Sequence, residues 1–207
     1  MSGRNVTVTS ISELAQISPL SGLISKFSSA KAMPSSCSAR RTLQQSQSPV
    51  LFAQEMQTAS EQQGVRLELL LAIAKQESRF APAVRSVAGA IGLMQLMPAT
   101  AASLIDRPLE EGDLEQPALN VSLGAAYLRD LLDLWNDDPF RSIASYNAGP
   151  GAVASWPTPE ANDDIELWVE RIPYPETRYY TKKVLDNLLS YSDPTLRFCE
   201  EAGRGMG

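Results

Sequence analysis

The strongest constraint on the fold is a periodicity. From residue 48 onward apolar side chains recur at three- and four-residue spacing, and no segment sustains the apolar–polar alternation of a half-buried strand. Leu67, Leu70, Leu71 and Ala74 stand at i, i+3, i+4 and i+7, one face of a helix. Leu123, Tyr127, Leu128, Leu131 and Leu132 mark a second helix from Asn120 to Trp135. Tyr180, Val184, Leu188 and Tyr191 mark another that opens near Pro175. Shorter helices are expected from Ser48-Pro49 to Gly64, with Ser48 as N-cap and Gly64 as terminator, and from Pro98 to about Leu104. One more runs from Pro139 to Tyr146 and is closed by Asn147-Ala-Gly-Pro-Gly151. The Gly- and Ala-rich residues 81–97 read as a loop or small irregular β-like segment, and the acidic residues 106–118 as a surface loop. The expected fold class is mainly α, one globular domain over 49–195.

The flanks have a different texture. Residues 1–48 are rich in serine and hold Arg4, Lys26, Lys31, Arg40 and Arg41 against a single acid, Glu13. Such a segment cannot bury enough apolar surface to offset its ordering entropy, so a disordered leader is expected, compatible with an export or targeting role. The apolar stretch Leu14–Ile24 is interrupted by Gln16, Ser18, Pro19 and Ser21, a poor core for a secretory signal. Residues 196–207 read as a flexible tail. The two cysteines, Cys37 and Cys199, sit near opposite ends, and two unrelated thiols are favoured over one disulfide.

Composition removes several function classes. There is no histidine, which excludes Ser-His-Asp and Cys-His nucleophile arrangements and His-containing zinc sites. Net charge is −6, and beyond residue 48 the balance is 13 basic against 23 acidic residues, unsuited to a nucleic-acid partner. No run approaches the roughly 18 apolar residues of a membrane helix.

Three places carry candidate chemistry. Glu77 lies three residues after Ala74 and continues the buried stripe into the last helical turn. Burial and the negative helix end both disfavour its charged form and raise its pKa, as a proton donor near neutral pH requires. A buried Glu paired with Arg79 or Arg178 is the competing structural account. In Gly89-Ala-Ile-Gly-Leu-Met-Gln-Leu-Met-Pro98, Gln95 offers donor and acceptor to sugar hydroxyls and acetamido groups, with Met97 beside it; simple core packing is the alternative. In Ala144-Ser-Tyr-Asn-Ala-Gly-Pro-Gly151, Tyr146 can stack on a sugar, or the motif can serve only as a helix stop.

Taken in order, Gln76-Glu-Ser78, Gly92-Leu-Met-Gln-Leu-Met-Pro98, Asn120 with Gly124 and Tyr127-Leu128, and Ala144–Gly151 resemble the catalytic domain of the soluble lytic murein transglycosylases. These belong to glycoside hydrolase family 23, related to goose-type lysozyme. Ile172-Pro-Tyr-Pro-Glu-Thr-Arg178 points to the branch typified by the large soluble periplasmic enzyme. The resemblance spans about 65–191 and implies a lysozyme-like fold. It implies Glu77 as catalytic acid/base and Ser78 as the serine beside it. Ser86 falls where the family has a serine contacting the catalytic carboxylate. Gln95 and Met97 would line the groove, with Tyr146 across from Glu77. Asn147 belongs to the same motif with a mainly structural role, and Glu176 matches a glutamate near the product sugar or, in the alternative, stabilises a first helical turn.

The implied reaction cleaves the β-1,4 bond between N-acetylmuramic acid and N-acetylglucosamine, leaves a 1,6-anhydromuramyl end, and needs no metal or organic cofactor. The implied partner is the peptidoglycan glycan strand, in the periplasm or cell envelope, with the chain a monomer. Rival readings are a lysozyme-like muramidase and a non-catalytic peptidoglycan-binding module of a secretion or conjugation apparatus.

Overall fold

The computed structural model describes residues 48–157 and 165–192. Residues 1–47, 158–164 and 193–207 lie outside the described residues, and with them Cys37, Cys199, the segment expected as a leader over 1–48 apart from Ser48, and the tail expected over 196–207. The helices are α1 Ala53–Gln63, α2 Leu67–Ser78, α3 Pro98–Ser103, α4 Pro117–Leu134, α5 Pro139–Ala148, α6 Pro150–Ala154, α7 Ile165–Glu170 and α8 Pro175–Tyr191, with a 3-10 turn at Asp113–Glu115. Among the described residues the only β-type pairings are isolated antiparallel bridges, Arg85 with Ile91 and Ile91 with Leu96.

Proline opens α3, α4, α5, α6 and α8. A first-turn residue needs no N–H for the helix ladder, and the ring presets φ. α5 is also capped by Asp138, whose side chain accepts from Phe140 N at 2.9 Å and Arg141 N at 3.3 Å.

The most extensive helix pairing among the described residues is that of α8 with α2, along which it lies. α1 packs on both α2 and α4, and α5 contacts α4, α6 and α8. The apolar stripe of α2 proves too narrow a description: Leu69 to Ala74 are all buried, because neighbours cover several sides of the helix. Leu70, Ile73, Met56, Leu128 and Ile143 are sealed from solvent, each burial worth about 2 kcal/mol before entropy.

Four sequence expectations need correction. The first helix starts at Ala53, not at Ser48-Pro49; its N-cap is Phe52, left-handed at φ 54° with no side-chain cap. Ser48 is instead buried and accepts from Lys75 Nζ at 3.2 Å, while Tyr191 Oη donates to Pro49 O at 2.9 Å. Residues 48–49 therefore strap α2 to α8. The long central helix begins at Pro117, three residues before Asn120, because that proline takes the first helical position. The acidic 106–118 loop is not wholly on the surface. Asp113 and Leu114 are buried, and the Asp113 carboxylate gathers Arg107 Nη1 at 2.6 Å and Glu110 N at 2.9 Å. Finally, Gly149 does end α5, yet Pro150 at once opens α6, and the short α7 left no readable period.

Candidate active site

Glu77 sits in the final turn of α2, immediately before an abrupt exit. Arg79 and Phe80 both adopt the left-handed conformation, at φ 51° and 64°, which costs roughly 1–2 kcal/mol for each residue with a Cβ. Burial of Phe80, only 4% exposed, offsets that strain. The turn throws the chain back over the end of α2 as the 81–97 segment.

Because α8 lies along α2, Tyr180 meets Glu77: its hydroxyl donates to Glu77 Oε1 at 2.6 Å. The carboxyl is half-buried, and burial pushes its pKa up from an ordinary 4.5 to about 7, with the Tyr180 hydrogen bond pulling the other way. The competing arginine pairing is not what the structure shows. Arg79 is exposed, and Arg178 Nη1 donates to Glu170 O at 3.0 Å.

Tyr146 closes the other side. Its hydroxyl donates to Met94 O at 3.0 Å and its ring lies against Tyr127, centroids 5.3 Å apart. Burial, then the charge of Glu77, drives the Tyr146 phenol well above its ordinary pKa. The same two causes act on Tyr180, joined by its hydrogen bond to Glu77. Both phenols therefore stay protonated and act as donors, not bases.

The 91–95 turn forms a wall whose backbone is held by side chains. Ser78 Oγ lies 2.8 Å from Leu93 O and 3.1 Å from Ala74 O, so its buried hydroxyl ties the turn to α2. Asn120, fully buried on α4, accepts from Met94 N at 2.7 Å and donates to Ile91 O and Leu114 O at 2.9 Å each. Gln95, at φ 46°, donates from Nε2 to Val84 O and Gly92 O. Its amide nitrogen thus stabilises the turn it stands on. Met97, 42% exposed, precedes α3.

The other expected residues fall further out. Ser86 is exposed, and its hydroxyl accepts from Ala90 N at 2.9 Å, closing the Arg85–Ile91 turn; its own hydrogen remains to donate. Asn147 Oδ1 accepts from Thr177 Oγ1 at 2.7 Å and so joins the end of α5 to the start of α8. Glu176 is exposed in the first turn of α8. Sequence reasoning missed Tyr180 and Asn120 as site-building residues, counting the first as core and the second as a motif member. The available signal was a hydrogen-bonding group on each apolar face, which must find a partner once buried.

No metal-type cluster of three or more His, Cys, Asp or Glu occurs among the described residues, and no described helix is long and apolar enough to cross a membrane.

Comparison with known proteins places this arrangement. Among curated proteins, the soluble lytic murein transglycosylase of Escherichia coli is 39% identical over 145 residues, covering 65% of this chain and 22% of that protein. The Salmonella typhimurium counterpart is 40% identical over 121 residues, 56% of this chain and 19% of the relative. Among solved structures, an inactive mutant of the lytic transglycosylase Slt from Pseudomonas aeruginosa superposes with a TM-score of 0.68 at 32% identity, over 77% of this chain and 27% of that one. The 70 kDa soluble lytic transglycosylase of Escherichia coli gives 0.65 at 31%, over 74% and 26%. This chain thus spans about a quarter or less of these four relatives, and the shared fold is the lysozyme-like one. The family model for the Transglycosylase SLT domain matches residues 54–169, more than half of the chain and ending before α8, and on that match the chain belongs to the SLT transglycosylase family.

Proposed function

We propose that this chain is a lytic transglycosylase that cleaves the β-1,4 bond between N-acetylmuramic acid and N-acetylglucosamine in peptidoglycan and leaves 1,6-anhydromuramyl ends. The observation that carries the reading is one half-buried carboxyl, Glu77, held near pKa 7 by burial and bonded to a phenol.

Near neutral pH such a group is populated in both protonation states, so one residue can act first as acid and then as base. With Tyr180 on Oε1, Oε2 is the oxygen left to carry the proton. Glu77 gives that proton to the glycosidic oxygen as the bond to the muramyl anomeric carbon breaks. The substrate's acetamido oxygen covers the positive charge that develops. The muramyl 6-hydroxyl then attacks the anomeric carbon, its proton returns to Glu77, and the acetamido oxygen is released. No water is consumed. Tyr180 stabilises the carboxylate formed between the two steps, a hydrogen bond to a charge being worth roughly 1.5–3 kcal/mol.

Gln95, Met97, Tyr146 and Glu176 are assigned to substrate contact, while Ser78 and Asn147 hold the groove through backbone and inter-helix bonds. Ser86 is assigned to the carboxylate's side of the groove, through its remaining hydroxyl hydrogen. The proposed setting is the periplasm or cell envelope, in keeping with the lytic murein transglycosylases among the relatives. Residues 1–48, of which Ser48 also packs against Lys75, are proposed as an export or targeting segment that can address a secretion or conjugation machine. The catalytic unit is proposed to act as a monomer.

The test is digestion of purified peptidoglycan with the protein and with Glu77→Gln, followed by mass spectrometry of the muropeptides. Products one water lighter than hydrolytic ones, absent with the variant, support the reading. Reducing muramic acid ends would make the protein a muramidase, and no product from folded protein would make it a binding module.

A further inference from the structure

The family motif pairs Asn120 with Gly124, one turn apart on α4, and both touch the same residue. Asn120 Oδ1 accepts from Met94 N at 2.7 Å, and a Cβ built on Gly124 would lie 2.6 Å from Met94 Cβ and Cγ. Met94 is fully buried, so no flexible end can move aside. One residue fixes the Met94 backbone by hydrogen bonding, and the other admits its side chain by having none.

Met94 in turn holds the far wall of the site. Its carbonyl accepts from Tyr146 Oη at 3.0 Å, and the neighbouring Leu93 O accepts from Ser78, next to Glu77. The turn from Ile91 to Leu96 contains no titratable residue. The titratable groups facing Glu77 are Tyr180 from α8 and Tyr146 from α5, with Tyr127 of α4 behind the latter.

We propose that Asn120 and Gly124 are positioning residues of the Glu77 site: together they seat Met94, and through Met94 they hold Tyr146 and the 91–95 turn against the catalytic carboxyl. Neither touches the reacting atoms. Loosening the seat admits water to Glu77 and moves Tyr146 from the place the proposed reaction needs. The inference rests on the transglycosylase reading for its activity measurement only.

The experiment compares the full chain with Asn120→Ala and Gly124→Ala. Protein labelled with 13C at the glutamate carboxyl carbon is titrated by NMR, the Glu77 signal being the one missing from Glu77→Gln. In parallel, kcat and KM are measured on peptidoglycan, and far-UV circular dichroism reports the helices. Both folded variants should show the Glu77 midpoint lowered by about 0.5–1 pH unit, because rewetting favours the carboxylate. kcat/KM should fall about tenfold, mostly through kcat, as misplacement of a catalytic wall predicts. Gly124→Ala leaves the Asn120 side chain in place and suits a helix, so it carries the test if Asn120→Ala does not fold. A lower Tm with the Glu77 midpoint and kcat unchanged would reduce the seat to a packing element and overturn the proposal. If the wild type releases no anhydro product, the functional reading fails, and the Glu77 midpoint alone still decides the positioning role.

Discussion

Tyr180 on α8 and Glu77 on α2, 103 residues apart in sequence, share a 2.6 Å hydrogen bond in which the phenol donates to the carboxyl. It opposes the effect of burial on the acid's proton affinity.

Removing that donor should make Glu77 a weaker acid. In Tyr180→Phe the carboxylate loses a charge-assisted bond worth roughly 1.5 kcal/mol, equivalent to about one pH unit. The alkaline limb of kcat/KM against pH should therefore move up by about one unit from its position near 7. A downward move would show that the phenol serves another purpose.

The raised pKa also has a stability consequence. A carboxyl whose folded pKa is about 7 and whose ordinary value is 4.5 binds its proton more tightly in the folded state. Its contribution to stability is fully present below about pH 4.5 and is lost as pH rises through about 7, an effect on the order of 3 kcal/mol. Glu77→Gln, neutral throughout, should match the wild type near pH 4 and exceed it at pH 8 in denaturant midpoint. Equal midpoints at pH 8 would mean that Glu77 is not destabilised by burial.

Gly92 and Gly64 separate steric from conformational need. Both have positive φ, but a Cβ at Gly92 would lie 2.2 Å from Leu114 O and 2.3 Å from Asn120 Nδ2, whereas Gly64 faces open space. Gly64→Ala should cost about 1 kcal/mol from backbone strain alone. Gly92→Ala should cost about 3 kcal/mol or more, lowering Tm by roughly 6–12 °C. Similar Tm values for the two variants would deny the close approach at Gly92.

The strap formed by Ser48 and Pro49 sets where the chain can be cut. Deletion of residues 1–47 should leave Tm and peptidoglycan cleavage unchanged. Deletion through residue 49 removes the acceptors of Lys75 and Tyr191 and should cost about 1–3 kcal/mol. Lost activity in a folded 1–47 deletion would show that the leader serves catalysis as well as the targeting proposed for it.

The sequence by itself determined the helices that are long and periodic, and it marked Glu77, because a carboxylate on an apolar stripe is a local contradiction visible without a fold. Proline at the start of α3, α5 and α8 and glycine at the end of α1 were legible for the same reason, since their backbone limits act within a few residues. Family resemblance then joined the separated motifs to Glu77. Only the tertiary structure decided what surrounds that acid. Tyr180 looked like one more member of an apolar stripe until α8 was laid along α2, and Asn120 was a motif member without a role until its amide met three backbone groups of other segments. Ser48 looked like a cap until Lys75, 27 residues away, took its hydroxyl. Hydrogen-bond partners, and the burial that sets a pKa, belong to pairs of elements distant in the chain, so their assignment depends on how the helices pack.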